Sequence, residues 1–115
     1  MTITISLPFP RPELSPNARL HWAKKSKAVK LARAEAYYVT RTEYCACPQP
    51  ERVAVTLYFY PPNKRHVDLD NLQARMKSAL DGICDALGWN DHCIKQVTSS
   101  LLDPITNGGV DIIIE

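Results

Sequence analysis

The sequence predicts a single α+β domain, a mixed or antiparallel sheet packed with helices. Three observations carry that prediction. Residues 53–60 form a run rich in β-branched and aromatic side chains, the composition of a central strand. Leu69, Leu72, Met76, Leu80, Ile83 and Leu87 recur at intervals of three and four, which draws one apolar face along a helix. Residues 2–7 alternate apolar and polar with period two, the pattern of a half-buried strand.

The elements follow in order. After the first strand, Pro8, Pro10, Pro12 and Pro16 hold the chain extended or turning, because proline fixes φ and removes a donor. Ser15-Pro16-Asn17 ends that loop. From about Leu20 to Val39 the chain is rich in Ala, Lys and Arg and free of Gly and Pro, which favours helix. Val29, Ala32, Ala36 and Val39 recur there at helical spacing. Tyr44 to Pro50 reads as a loop, and the strand at 53–60 ends at Pro61-Pro62-Asn63. A second helix should run from Leu69 or Asp70 to Leu87, stopped by Gly88. Gly82 within it marks a break or a close contact. Trp89-Asn90-Asp91-His92 is a short loop. Residues 94–102 and 109–114 read as strands, and Thr106-Asn107-Gly108-Gly109 as the turn that makes them a hairpin. The order is β-α-β-α-β-β, one domain over residues 1–115.

Composition narrows the function classes. No run approaches the roughly 18 apolar residues of a membrane span. The N-terminal stretch lacks the basic and apolar regions of a signal peptide, so the expectation is a cytoplasmic protein. Cys45, Cys47, Cys84 and Cys93 do not have zinc-ligand spacing, and reduced, partly buried thiols are expected instead. The net charge of +2 says little, but its distribution says more. Eight basic residues lie between Arg11 and Arg41 against Glu13 and Glu35, a local excess of six, so the remainder carries −4. A basic arm beside an acidic remainder suits a metal-dependent nuclease, whereas a solvated helix face is the plainer alternative. A chain of 115 residues is small for a large substrate, and a homodimer would double its binding surface.

The chemistry centres on His66-Val67-Asp68-Leu69-Asp70-Asn71. In extended geometry residues two apart point the same way, so Asp68 and Asp70 can face one point with Asn71 orienting them. Paired carboxylates repel unless a cation lies between them, and carboxylates with waters and a phosphate oxygen describe a Mg²⁺ site. The structural alternative is helix capping. Asp91, after Gly88, is the third candidate, with an exposed turn residue as its alternative. Lys77 lies two helical turns after Asp70 and is positioned to stabilise developing charge, or else to pair with Asp81. Lys64, Arg65, His66 and Arg75 flank the acidic site and suit a DNA backbone, as do Arg19, Lys24, Lys25 and Lys27 on the basic arm. Trp22, Tyr37 and Tyr38 are able to stack on exposed bases, though helical aromatics more often pack in the core.

The run Asp68-Leu69-Asp70-Asn71-Leu72-Gln73, followed by Ala79-Leu80-Asp81-Gly82 and Asn90-Asp91, resembles the RusA family of Holliday junction resolvases, including phage and prophage members. The resemblance extends to Ile5-Ser6-Leu7-Pro8-Phe9-Pro10, the basic region after Asn17 and Gly108-Gly109. It implies a RusA-like homodimer that depends on Mg²⁺, with Mn²⁺ able to substitute, and resolves four-way DNA by paired nicks in recombination and repair. It places the three essential aspartates at Asp68, Asp70 and Asp91, and the location in a host bacterium's cytoplasm if the gene is phage-borne. The family tends to have lysine where this chain has Ala74, so Lys77 or Arg75 would take that part. A catalytically inactive junction-binding module and a regulatory protein whose aspartates cap a helix are the competing readings.

Overall fold

The strand β2 (Val53–Tyr60) organises the molecule. The computed structural model describes residues 2–115. Val53, Val55, Leu57 and Phe59 are buried on one face of β2, and the alternate residues are half-buried. Both edges are paired. β3 (Ile94–Leu101) runs parallel along one, and β4 (Gly109–Ile114) antiparallel along the other. β1 (Ile3–Leu7) then pairs antiparallel with β4, giving a mixed sheet ordered β1-β4-β2-β3. The predicted α+β class and mixed sheet are therefore present.

The predicted hairpin is not. β3 and β4 lie on opposite sides of β2, and their connection crosses its C-terminal end. Leu102 N–H donates to the Phe59 carbonyl at 2.8 Å, and Ile105 N–H to that of Pro61 at 3.0 Å. The connection, residues 102–108, is longer than the two to five residues of tight hairpins. The turn residues were legible for another reason. Asn107 and Gly108 have φ of 66° and 68°, and a Cβ on Gly108 would lie 3.0 Å from Pro62 N and 3.1 Å from Phe9 Cβ.

The inward sheet face, including Ile3, Ile5, Val110 and Ile112, packs against α1 (Trp22–Glu43) and α3 (Lys77–Leu87). The buried stripe of α1 is Ala28, Ala32, Ala36 and Thr40, at every fourth residue, while Val29 and Val39 are only half-buried. Small residues let the helices approach closely. A Cβ on Gly82 of α3 would collide with the Arg33 carbonyl oxygen and lie 3.1 Å from Ala36 Cβ, so this glycine marks a close contact.

The single second helix is also corrected. α2 (Leu69–Ala74) and α3 are separate, joined through Arg75 and Met76. At the junction the chain tightens: Arg75 N–H donates to the Leu72 carbonyl and Met76 N–H to that of Gln73, both at 3.1 Å. Both joining residues keep right-handed helical φ, so the apolar periodicity runs through the junction unbroken. α3 ends where Gly88 adopts φ 76° and Trp89 N–H reaches back to the Cys84 carbonyl at 2.9 Å. No described helix is long and apolar enough to cross a membrane.

Candidate functional site

Two polar clusters hold the candidate residues. The first is the entry to α2. Asp68 is its N-cap, with extended backbone (φ −75°, ψ 130°), yet its side chain makes no capping hydrogen bond. The carboxylate is instead 3.0 Å from His66 Nε2, with the two side chains 71% and 89% exposed. Asp70 is already inside the first helical turn, and its Oδ1 accepts from Asn71 N–H at 3.0 Å. The two aspartates are thus not both in extended chain, and the same-side argument for residues two apart does not govern them. An acidic side chain in this first turn does suit the helix dipole.

Asn71 acts differently from its expected part in orienting the aspartates. Its Nδ2 donates to Ser15 Oγ at 2.8 Å, and its Oδ1 accepts from Arg75 Nε at 2.9 Å. Arg75 also donates through Nη1 to the Pro10 carbonyl at 3.3 Å. Asn71 and Arg75 therefore tie the proline-rich loop to α2, across separations of 56 and 65 residues. Partial burial lowers the Arg75 pKa, with Glu13 opposing. Those contacts direct much of its guanidinium inward, which weakens its assignment to the DNA backbone.

The second cluster lies where α3 begins and the short 3₁₀ turn Asp91–Cys93 follows it. Lys77 Nζ donates to Asp91 Oδ2 at 2.7 Å and to Asp81 Oδ1 at 3.1 Å. Both expectations for Lys77 meet in this geometry, its pairing with Asp81 and its place beside a candidate aspartate. Its contact is with Asp91 rather than with Asp70, which lies two helical turns back along the chain. The Asp91 hydrogen bond, then that of Asp81, raises the Lys77 pKa. Lys77 in turn holds the Asp91 carboxyl below its ordinary range. Asn90 fixes the turn by accepting from His92 N–H at 3.0 Å, and its own N–H donates to Gln49 Oε1 at 2.7 Å.

These groups line an open polar cleft of about 310 Å³, closed on another side by the Arg33–Asp85 pair. That pair is two-pronged, at 2.6 and 2.9 Å. Cys84 also reaches the cleft, but burial pushes its thiol up to about 11, so it stays protonated. All four cysteines are free thiols.

Asp68, Asp70 and Asp91 are thus divided between two clusters in their hydrogen bonding. Among the described residues no group of three His, Cys, Asp or Glu side chains is arranged to hold a metal ion. The expected pairing of Lys77 with Asp81 is present, and the convergence of Asp91 on the same ammonium is the feature the sequence does not show. The spacing of Lys77 and Asp81 signals that pair alone, and nothing in the spacing brings Asp91 to it.

The basic candidates are exposed on the surface. Lys24 and Lys27 in α1 and Arg19 before it are exposed, as are Lys64 and Arg65 before α2. Lys25 is half-buried and donates to the Ser15 carbonyl at 3.3 Å.

No protein-family model matches this chain. A protein of Xylella fastidiosa (strain Temecula1 / ATCC 700964), described as uncharacterized, is 44% identical to it over 92 residues. The match covers 77% of this chain and 60% of that protein, so the chain spans about three-fifths of that relative's length.

Proposed function

We propose that this protein is a structure-specific endodeoxyribonuclease of the Holliday junction resolvase kind, acting on four-way DNA as a Mg²⁺-dependent homodimer in the cytoplasm. The observation that carries the reading is Asp68. It occupies a helix N-cap and makes no capping bond, so the fold gains little from a carboxylate there. Asp70 follows within a turn, in the Asp-Leu-Asp-Asn-Leu-Gln run that resembles the resolvases.

The donor types suit the ion, and holding it would require Asp91, now paired with Lys77, to converge with Asp68 and Asp70. Mg²⁺ takes hard oxygen ligands, keeps several waters and binds through one or two carboxylates together with substrate phosphate. Asp68, Asp70 and Asp91 are the residues that would hold it, with Mn²⁺ able to substitute. Such an ion supplies Lewis-acid polarisation of a phosphate and a more acidic water. The chain's own groups do the rest. Lys77 is held cationic by two carboxylates and is placed to neutralise charge as the phosphodiester is cut. It is a better substitute than Arg75 for the lysine absent at Ala74, because Arg75 is tied to Pro10 and Asn71. Arg19, Lys24, Lys27, Lys64 and Arg65 hold phosphates, so binding should weaken steeply with salt. A dimer supplies two sites and hence paired nicks.

Ala74 favours one other reading, a catalytically inactive module that binds junctions. One experiment separates the two. The protein is incubated with a synthetic four-way junction or a matched linear duplex, with Mg²⁺ or with EDTA, and products are run on a denaturing gel. Symmetric nicks in the junction alone, lost with EDTA, are expected. Intact junction in every lane, shifted on a native gel, would establish the inactive module.

A further inference from the structure

Trp22 is the most exposed large apolar side chain in the described structure, at 76%. Large aromatic rings usually pack inward, and the other tryptophan, in the loop after α3, does so: Trp89 is 7% exposed, with its indole N–H on the Cys47 carbonyl at 3.1 Å. Trp22 does not pack into the core. Its one aromatic neighbour is His21, with ring centroids 5.6 Å apart and planes tilted by 32°. His21 is held in turn, because its Nδ1 accepts from Ala23 N–H at 3.2 Å. The result is a pair of neighbouring rings on the surface.

Along the chain the flanking charge is of one sign. Between Leu14 and Ala34 the chain has six basic residues and no acidic one. Lys25 and Arg33 have protein partners, Ser15 and Asp85. Arg19, Lys24, Lys27 and Lys30 are exposed and make no hydrogen bond or ion pair among the described residues. Two lysines in the first turn of α1, with no acidic residue there, oppose the helix dipole. They are explained by an anionic partner better than by the helix itself.

We propose that Trp22, backed by His21, is a stacking platform for an unpaired DNA base, with Arg19, Lys24 and Lys27 holding the phosphates of that strand. Every base has a π-face, so the platform selects single-stranded character rather than sequence. This rests on the DNA-binding part of the reading above and gives it a way to tell open branch points from paired duplex.

The test is a fluorescence titration in EDTA, where no cutting occurs, with a single-stranded oligonucleotide, a four-way junction and a paired duplex. Trp89 provides the constant background. The single strand and the junction should quench emission, and the duplex should not. Trp22→Ala should abolish the quench and weaken single-strand binding about tenfold, in the range of losing one base–aromatic stack, with duplex affinity unchanged. Trp22→Phe should restore most of the affinity.

Single-strand affinity unchanged in Trp22→Ala would overturn the proposal, as would binding without a quench, or no binding to any DNA. Equal quenching by polyglutamate would assign the surface to an acidic protein partner instead. The nuclease reading fails separately. A protein that quenches on single strands but never nicks a junction with Mg²⁺ keeps the platform and loses the enzyme. One that nicks junctions while Trp22 stays silent does the reverse.

Discussion

The α1–α3 seam and the polar rim at α2 are built by opposite means. At the seam, Ala36 and the Arg33 backbone meet a helix whose Gly82 has no room for a side chain, and the sheet face below is buried. Position there is set by close packing over many contacts. At the rim, Asn71, Arg75 and Ser15 hold the proline loop with single hydrogen bonds, and Asp68 and Asp70 face solvent with only local partners. The seam therefore sets stability, and the rim is free to carry charged groups whose benefit lies elsewhere.

The sharpest test of that contrast is Asp70→Asn. Junction cutting should disappear on the gel while junction binding persists and the melting curve barely moves, since an exposed change of this kind alters stability by about 0.5 kcal/mol or less. Wild-type cutting by this variant would remove Asp70 from the site. On the packed side, Phe59→Ala should cost about 4 kcal/mol in urea unfolding, because the ring is wholly buried and meets Phe9 edge-on. Gly82→Ala should cost about 3 kcal/mol, as the new methyl meets backbone that belongs to α1. A neutral result would mean the helices separate easily.

Asn71→Ala should fall between the two regions. It leaves the partly buried Arg75 Nε without its acceptor and should cost about 1–2 kcal/mol, read by thermal melting. The smallest effect is on pH dependence. The Asp91 carboxyl is depressed by Lys77, so its share of stability is present above the unfolded value of about 4 and is lost as pH falls through the lower folded value. The raised Lys77 works at the other end, with its share lost only as pH rises through a value above about 10.4. Asp91→Asn should flatten the acid limb of the stability profile, and an unchanged limb would show that the pair forms no lasting contact in solution.

The two regions also differ in how far the sequence reveals them. The packed half was legible because burial repeats: period two in β1 and β2, intervals of three and four in α3, and a left-handed glycine at its end. The division of α2 from α3 was hidden for the same reason, since a tightened turn preserves the apolar rhythm. The rim depends on contacts between distant positions. Nothing near Asn71 announces Ser15, and nothing in residues 94–114 says that β2 will stand between the last two strands. Asp68, Asp70 and Asp91 were legible as residue types, whereas the meeting of Asp81 and Asp91 on Lys77 needed the three-dimensional structure.

The insertion of β4 between β1 and β2 bears on how the chain folds. Ile3 pairs with Ile114, and among the described residues β4 is the one strand beside β1. A nascent chain therefore leaves its first strand without a partner until residues 109–114 have emerged from the ribosome. Closing so long a loop is entropically demanding, and topologies dominated by distant pairings fold slowly. Until then Ile3, Ile5 and Leu7 present an apolar, unpaired edge, the kind of segment that holding chaperones shelter.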